Sequence, residues 1–274
     1  MSHTKPYNIK DFGPSDLMTS EVENERRLKV SNDPVQPLEL LISKGLMAGH
    51  RMVYLNSYAN NITTTTRLVW PFNSQYEFSD SATSLWLTST NILDNQDILI
   101  ETLDSNYMEQ SFVIALNGLT PIEFSIGTGL RINKMRCVSS TATIGDVYAT
   151  NQDHLGGAPL LTSTIVSAFE AEKQTSNLAL YTVPAGHTLF GDVGYFSSPK
   201  GRDNDFFWNA RNPSVSIPPT VTNVVSVYQT TIQIDFAKTP IPEKTDAYFT
   251  SKTENGSGRT SARIVGILVD NNYL

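Results

Sequence analysis

Two groups of carboxylates have the residue types and spacing that catalysis could use: Asp94, Asp97, Glu101 and Asp104 in one stretch, and Asp203 with Asp205 in another. Alternation along an extended segment puts Asp97 and Glu101 on one face, and two acids flanking a sugar bond are the machinery of glycoside hydrolysis. These acids also sit beside Asn, Gln and Ser, where carboxylates make turns and keep strand edges soluble, and that reading suits the stretch better. The segment Gly201–Arg202–Asp203–Asn204–Asp205 offers oxygen ligands to a cation, but it lacks the glycine and distal glutamate of an EF-hand loop. Asp203 and Asp205 with Phe206, Phe207 and Trp208 form the candidate patch for a host-surface glycan or receptor, which requires the rings to be exposed.

The remaining reactive side chains are scattered. His3, His50, His154 and His187 are far apart, and His154–Leu155–Gly156–Gly157 has no G-x-S-x-G elbow to accompany it. The single cysteine, Cys137, allows no internal disulfide and no Cys-based zinc site, and its apolar neighbours suit a buried thiol. Phosphate-loop, dinucleotide and H-E-x-x-H patterns are absent. No catalytic, cofactor-binding or metal-binding residues are assigned, and the chain is expected not to be an enzyme.

The elements that must position these residues are extended. The chain has 274 residues with 39% hydrophobic and 17% charged, the charge deficit being filled by Ser, Thr, Asn and Gln. That composition excludes a coiled coil and a disordered acidic tail. A net charge of −7 argues against nucleic acid or an anionic membrane as the main partner. No run of apolar residues is long enough for a transmembrane helix, and the first ten residues lack the core of a signal peptide.

Residues 1–45 form a separate segment with prolines at 14, 34 and 37 and a short helix predicted over Ser20–Val30, capped by Ser20 and Glu23. Strands are predicted from Arg51 onward, including the threonine-rich Asn61–Arg67, then Ser84–Thr90, Asp97–Leu103, Ser111–Leu116, Thr120–Ile126 and Gly129–Val138. Asn117–Gly118 predicts a hairpin. In Gly129–Val138 the apolar phase slips between Ile132 and Met135, which predicts a bulge near Asn133. Beyond a boundary near 170–176, strands are predicted over Leu178–Val183, Thr188–Ser197, Asp205–Arg211, Val224–Phe236, Ala247–Thr253 and Thr260–Val269, with a hairpin turn at Gly256–Ser257–Gly258.

Several stretches resemble a known family. These are Glu101–Glu109 (ETLDSNYME), Val113–Gly118 (VIALNG), Leu130–Met135 (LRINKM), Leu180–Thr188 (LYTVPAGHT), Tyr228–Gln229, Pro240–Asp246 (PIPEKTD) and Gly266–Asn271 (GILVDN). In order and spacing they are similar to motifs of virion structural proteins of tailed bacteriophages, many of them marine. The resemblance covers about residues 80–274, leaves the N-terminal segment outside, and carries no catalytic residue. His187 stands where the family usually has Lys, and Glu101–Thr102 replaces its usual residue and Gly. The resemblance implies a non-enzymatic β protein of the particle.

The expected fold is all-β: two antiparallel β-sandwich or jelly-roll-like domains, residues 46–170 and 176–274, preceded by an extended N-terminal assembly arm, residues 1–45. The expected role is a structural component of a tailed-phage virion, in capsid decoration, neck, tail or fibre, made in the host cytoplasm. Its partners would be copies of itself and other virion proteins. The alternative is a receptor- or glycan-binding module of a fibre.

Overall fold

The computed structural model describes residues 37–72, 76–198, 203–213, 220–228, 230–254 and 256–274. The helix expected over Ser20–Val30 lies outside the described residues. A different, six-residue helix, α1 (Leu38–Ser43), follows Pro37 and is closed after Lys44 by Gly45, whose φ of +69° suits a residue without a Cβ. Its buried Ile42 packs with Ile267 and Val269, flanked by Met52 and Phe190.

The strands are β1 (His50–Ile62), β2 (Arg67–Leu68), β3 (Thr83–Ser89), β4 (Asp97–Leu103), β5 (Glu109–Ala115), β6 (Ile122–Gly129), β7 (Arg131–Cys137), β8 (Val147–Thr150), β9 (Ile165–Phe169), β10 (Leu180–Thr182), β11 (His187–Ser197), β12 (Asp203–Arg211), β13 (Thr220–Tyr228), β14 (Thr231–Asp235), β15 (Pro240–Ile241), β16 (Asp246–Thr253) and β17 (Gly258–Asp270).

Among the described residues the strand pairings are antiparallel and form four sheets. One runs β1-β17-β11-β14 and the one facing it β10-β16-β12-β13, with β15 and β2 as short additions. Apart from those two, first pairs with last, second with second-last, and so inward to β12 with β13. This is one long antiparallel ribbon rolled up so that its turns pair through β17–β11 and β16–β12, which is the jelly roll. Its core holds Leu55, Phe196, Phe206, Trp208, Phe236 and Phe249. Gly194 makes room for these rings, since a Cβ there would meet Phe236 at 2.6 Å and Phe196 at 2.8 Å.

The second sandwich, β3 to β9, stacks β6-β3-β8-β9 on β5-β4-β7 around Leu87, Ile98, Ile100, Ile132, Met135 and Phe169. It is inserted between the first two strands of the roll. The division of the chain therefore differs from residues 46–170 and 176–274: β1 pairs with β17, and β2 pairs with β16. Strand alternation cannot reveal this, because it says which face is buried but not which distant strand supplies the ladder.

Several local expectations change for the same reason. Asn117–Gly118 and the segment around Gly256–Ser257–Gly258 are not hairpins, because β5 and β6, like β16 and β17, lie in different sheets. Val224–Phe236 is two strands, β13 and β14, again in opposite sheets. Of the four threonines, Thr63–Thr66 lie between β1 and β2, where Thr63 Oγ1 accepts from Thr65 N–H at 3.3 Å. The bulge near Asn133 is present: Glu101 pairs with Lys134 and Thr102 with Ile132, leaving Asn133 as the extra residue.

Candidate functional site

The expected patch on β12 comes apart along the strand. Phe206 and Trp208 face inward, Trp208 edge-on to Phe236 and Phe249 with centroids 4.4 and 4.7 Å away. Asp203, Asp205 and Phe207 face outward. Asp205 accepts from Ser226 Oγ at 2.6 Å and lies 3.8 Å from Lys252 Nζ, which also sits 5.8 Å from the Phe207 ring. These five residues therefore do not form one stacking surface, because successive side chains of a strand go to opposite faces.

The other candidate acids serve the backbone or stand apart. Asp94 is buried and accepts from Ser89 Oγ at 2.5 Å and from the Ile144 and Gly145 N–H groups at 2.8 and 2.9 Å. Asp97 and Glu101 do share the exposed face of β4, but four residues along a strand span about 13 Å, beyond the separations of glycosidase pairs. Among the described residues no three His, Cys, Asp or Glu side chains gather as a metal site. His154 is tied to Gly157 O at 3.2 Å and His187 to Ala185 O at 3.0 Å, so both brace turns. Cys137 is a buried free thiol.

The polar side chains that do converge lie where the inserted sandwich meets the roll. Asn133 reaches β10 with both ends of its amide, donating to Thr182 O at 2.9 Å and accepting from Thr182 N–H at 2.9 Å. Beside it, Arg131 of β7 meets Asp246 of β16 side-on. Asp246 also accepts from Thr182 Oγ1 at 2.6 Å and from Arg211 Nη1 at 3.1 Å, and Arg211 pairs with Asp80. Arg131 Nη1 donates to Ser79 O at 2.6 Å and Leu130 O at 2.9 Å. Both guanidinium groups lie over the Phe78 ring, 5.5 Å from its centre for Arg131 and 5.0 Å for Arg211.

Electrostatics there follow from burial. Burial, the largest influence, would lower the Arg131 pKa, and the Asp246 carboxylate with the smaller contributions of Tyr76 and Tyr107 more than offsets it, so the guanidinium is held charged. Burial pushes the neighbouring Tyr76 hydroxyl up to about 12 against the opposing pull of Arg131. Nothing in the sequence signals that Arg131, Asn133 and Asp246 act together, since a buried charge looks like a surface charge in a sequence. Each nevertheless falls in a stretch that carried the family resemblance: LRINKM, LYTVPAGHT for Thr182, and PIPEKTD.

Alongside this joint runs an open cleft with lobes of about 480 and 370 Å³ that share Tyr54, Asn133, Lys134 and Tyr181. Its wall includes the Arg51–Glu109 ion pair and Gln110, whose Oε1 is shielded and has no hydrogen-bond partner among the described residues. The lining mixes polar and charged side chains such as Asn133, Lys134 and Glu101 with apolar ones and a half-exposed Tyr54, a mixture that suits a polar ligand with an apolar face.

The site and fold together define a jelly roll carrying a second β-sandwich between its first two strands, locked by a buried ionic joint. No family model matches the chain, and no curated protein matches it. Among solved structures it is similar, at 11% identity and a TM-score of 0.20, to infectious bursal disease virus, Gx strain, covering 81% of this chain and 72% of that one. It is similar to the VP2 subviral particle of the same virus at 10% identity and a TM-score of 0.19, covering 81% and 73%. Vicilin of hazelnut, Corylus avellana, is similar at 9% identity and a TM-score of 0.15, covering 85% and 77%. No helix among the described residues is long and apolar enough to cross a membrane.

Proposed function

We propose that the chain is a non-enzymatic structural component of a virus particle and acts by assembling with copies of itself and with other particle proteins. The observation that carries this is the strand order: an eight-stranded jelly roll, an architecture of viral capsid domains as well as lectins and cupins, with a projecting sandwich in place of a short first connection. The motif resemblance narrows the particle to that of a tailed bacteriophage, and the location to the virion. Carboxylates committed to turns and ion pairs suit a role without catalysis. Residues 1–45 act as the assembly arm, and the described end of that segment, α1, packs on Ile267 and Val269 of the roll. The test is mass spectrometry and antibody labelling of purified particles. The chain is expected in many copies at a symmetric position, and its absence from purified particles overturns the reading. A chain truncated before Pro37 is expected to fold and to fail to join particles; full incorporation removes the role given to the arm.

The cleft favours one second reading, binding of a host-surface glycan, because the Gln110 carbonyl there awaits a donor. Calorimetry with neutral host polysaccharide, comparing the native chain with Tyr54→Ala, decides it. Binding lost in the variant supports the cleft, and no heat with the native chain dismisses it.

A further inference from the structure

The end of the inserted sandwich nearest the roll is closed by Leu103, Tyr107 and Leu130 against Ala185. At the opposite end the loops following β3, β5 and β7 meet: Gly118 N–H donates to Asp94 O at 2.7 Å, and Ile144 N–H to Asp94 Oδ1. The long β8–β9 loop folds back to join them, Gly157 N–H donating to Leu119 O at 2.9 Å. These loops hold out large apolar side chains: Leu155 is 99% exposed, Leu160 90%, Ile92 73%, Leu93 70%, Ile144 55% and Leu119 37%. Nothing in the fold needs them there, and so many clustered on one end of a Ser/Thr-rich domain mark a surface that is covered in the working state.

The charge pattern says by what. The sequence has no Lys or Arg from Leu68 to Leu130, nor from Cys137 to Glu172. Of the acids at this end, Asp94 is buried and Asp146 accepts from Ala171 N–H at 2.8 Å, which leaves Asp153 in the loops and, at their border, the exposed Asp97 and Glu172 with Lys173 beside it, Glu172 N–H donating to Thr143 O at 3.2 Å. The loops thus carry few charges, and those present lie at the border of the apolar side chains. A contact between identical copies places like surfaces together, so it favours a patch without net charge, and interface cores are depleted of charged residues. A partner recognised through charge would find only the bordering Asp97, Asp153, Glu172 and Lys173 here.

From these loops we infer that the free end of the inserted sandwich is a self-association surface, where copies of this chain meet around a rotation axis through Ile92, Leu93, Leu119, Ile144, Leu155 and Leu160. This rests on the assembly reading and names the surface it uses. The remaining polar loop atoms, from Asn, Ser and Thr, supply the rim.

The test is sedimentation of the full chain beside Leu155→Glu/Leu160→Glu, and beside Met108→Glu at the opposite end of the same sandwich. Leu155 and Leu160 are so exposed that glutamate there leaves the fold intact, which far-ultraviolet circular dichroism checks. The native chain and the Met108 variant are expected to form one closed oligomer, and the Leu155/Leu160 variant to associate about a hundredfold more weakly. If native chain and Leu155/Leu160 variant form the same oligomer, this surface is wrong and the assembly reading stands. If the native chain stays monomeric at about 100 μM while purified particles contain it, the end is covered by another protein and the inference fails. If the native chain is monomeric and particles lack it, both fail.

Discussion

Arg131 Nε donates to Asp246 Oδ1 at 3.0 Å and Nη2 to Oδ2 at 2.9 Å, with the two side chains 1% and 0% exposed. The arginine belongs to the inserted sandwich and the aspartate to the roll. A side-on pair of this kind fixes the angle between two bodies as well as their distance, because both donors must stay in the carboxylate plane. Thr182, Arg211 and two backbone carbonyls complete its hydrogen bonding, so the charges are buried but satisfied.

Removing one partner of such a pair leaves an uncompensated charge. Asp246→Ala is expected to lower stability by about 3–5 kcal/mol. Arg131→Met combined with Asp246→Ala is expected to cost clearly less than the sum of the single changes. Urea unfolding of the four proteins measures this, and a loss below about 1 kcal/mol for Asp246→Ala contradicts the role given to the joint.

Asn133 serves the same joint through the backbone. Asn133→Ala removes both hydrogen bonds to Thr182 and is expected to cost about 1–3 kcal/mol. Hydrogen exchange of the Thr182 amide should quicken by a similar free energy. An unchanged exchange rate shows that the Asn133 side chain is dispensable.

The two faces of β12 predict opposite responses from neighbouring aromatic residues. Trp208→Ala empties part of the roll's core and is expected to cost about 3–5 kcal/mol. Phe207→Ala, on the outer face, is expected to stay within about 1 kcal/mol. Thermal melts of both variants check this, and equal losses contradict the inward and outward assignment.

Tyr76 ties stability to alkaline pH. Its hydroxyl ionises near pH 10 when unfolded and near 12 when folded, so the folded chain holds its proton longer. The resulting stabilisation is complete below pH 10 and disappears as the pH rises through 12. Between those limits the native protein is expected to lose about 2–3 kcal/mol more than Tyr76→Phe. Denaturant titrations at a series of pH values measure the difference, and parallel curves for the two proteins exclude it.

Much of this molecule was written locally. Alternating apolar residues marked β4, β11, β16 and β17 close to their true limits, and the slipped phase between Ile132 and Met135 located the Asn133 bulge, because a pleat's period of two depends on neighbours alone. Which strand lies beside which was decided only in three dimensions. The pairing of β1 with β17 and the break of Val224–Phe236 into two sheets depend on burying one ribbon against itself. The same holds for the site. Arg131 and Asp246 are 115 positions apart, and nothing near either residue signals its partner. Their union follows from desolvation, which exists only once both sandwiches have closed around the pair.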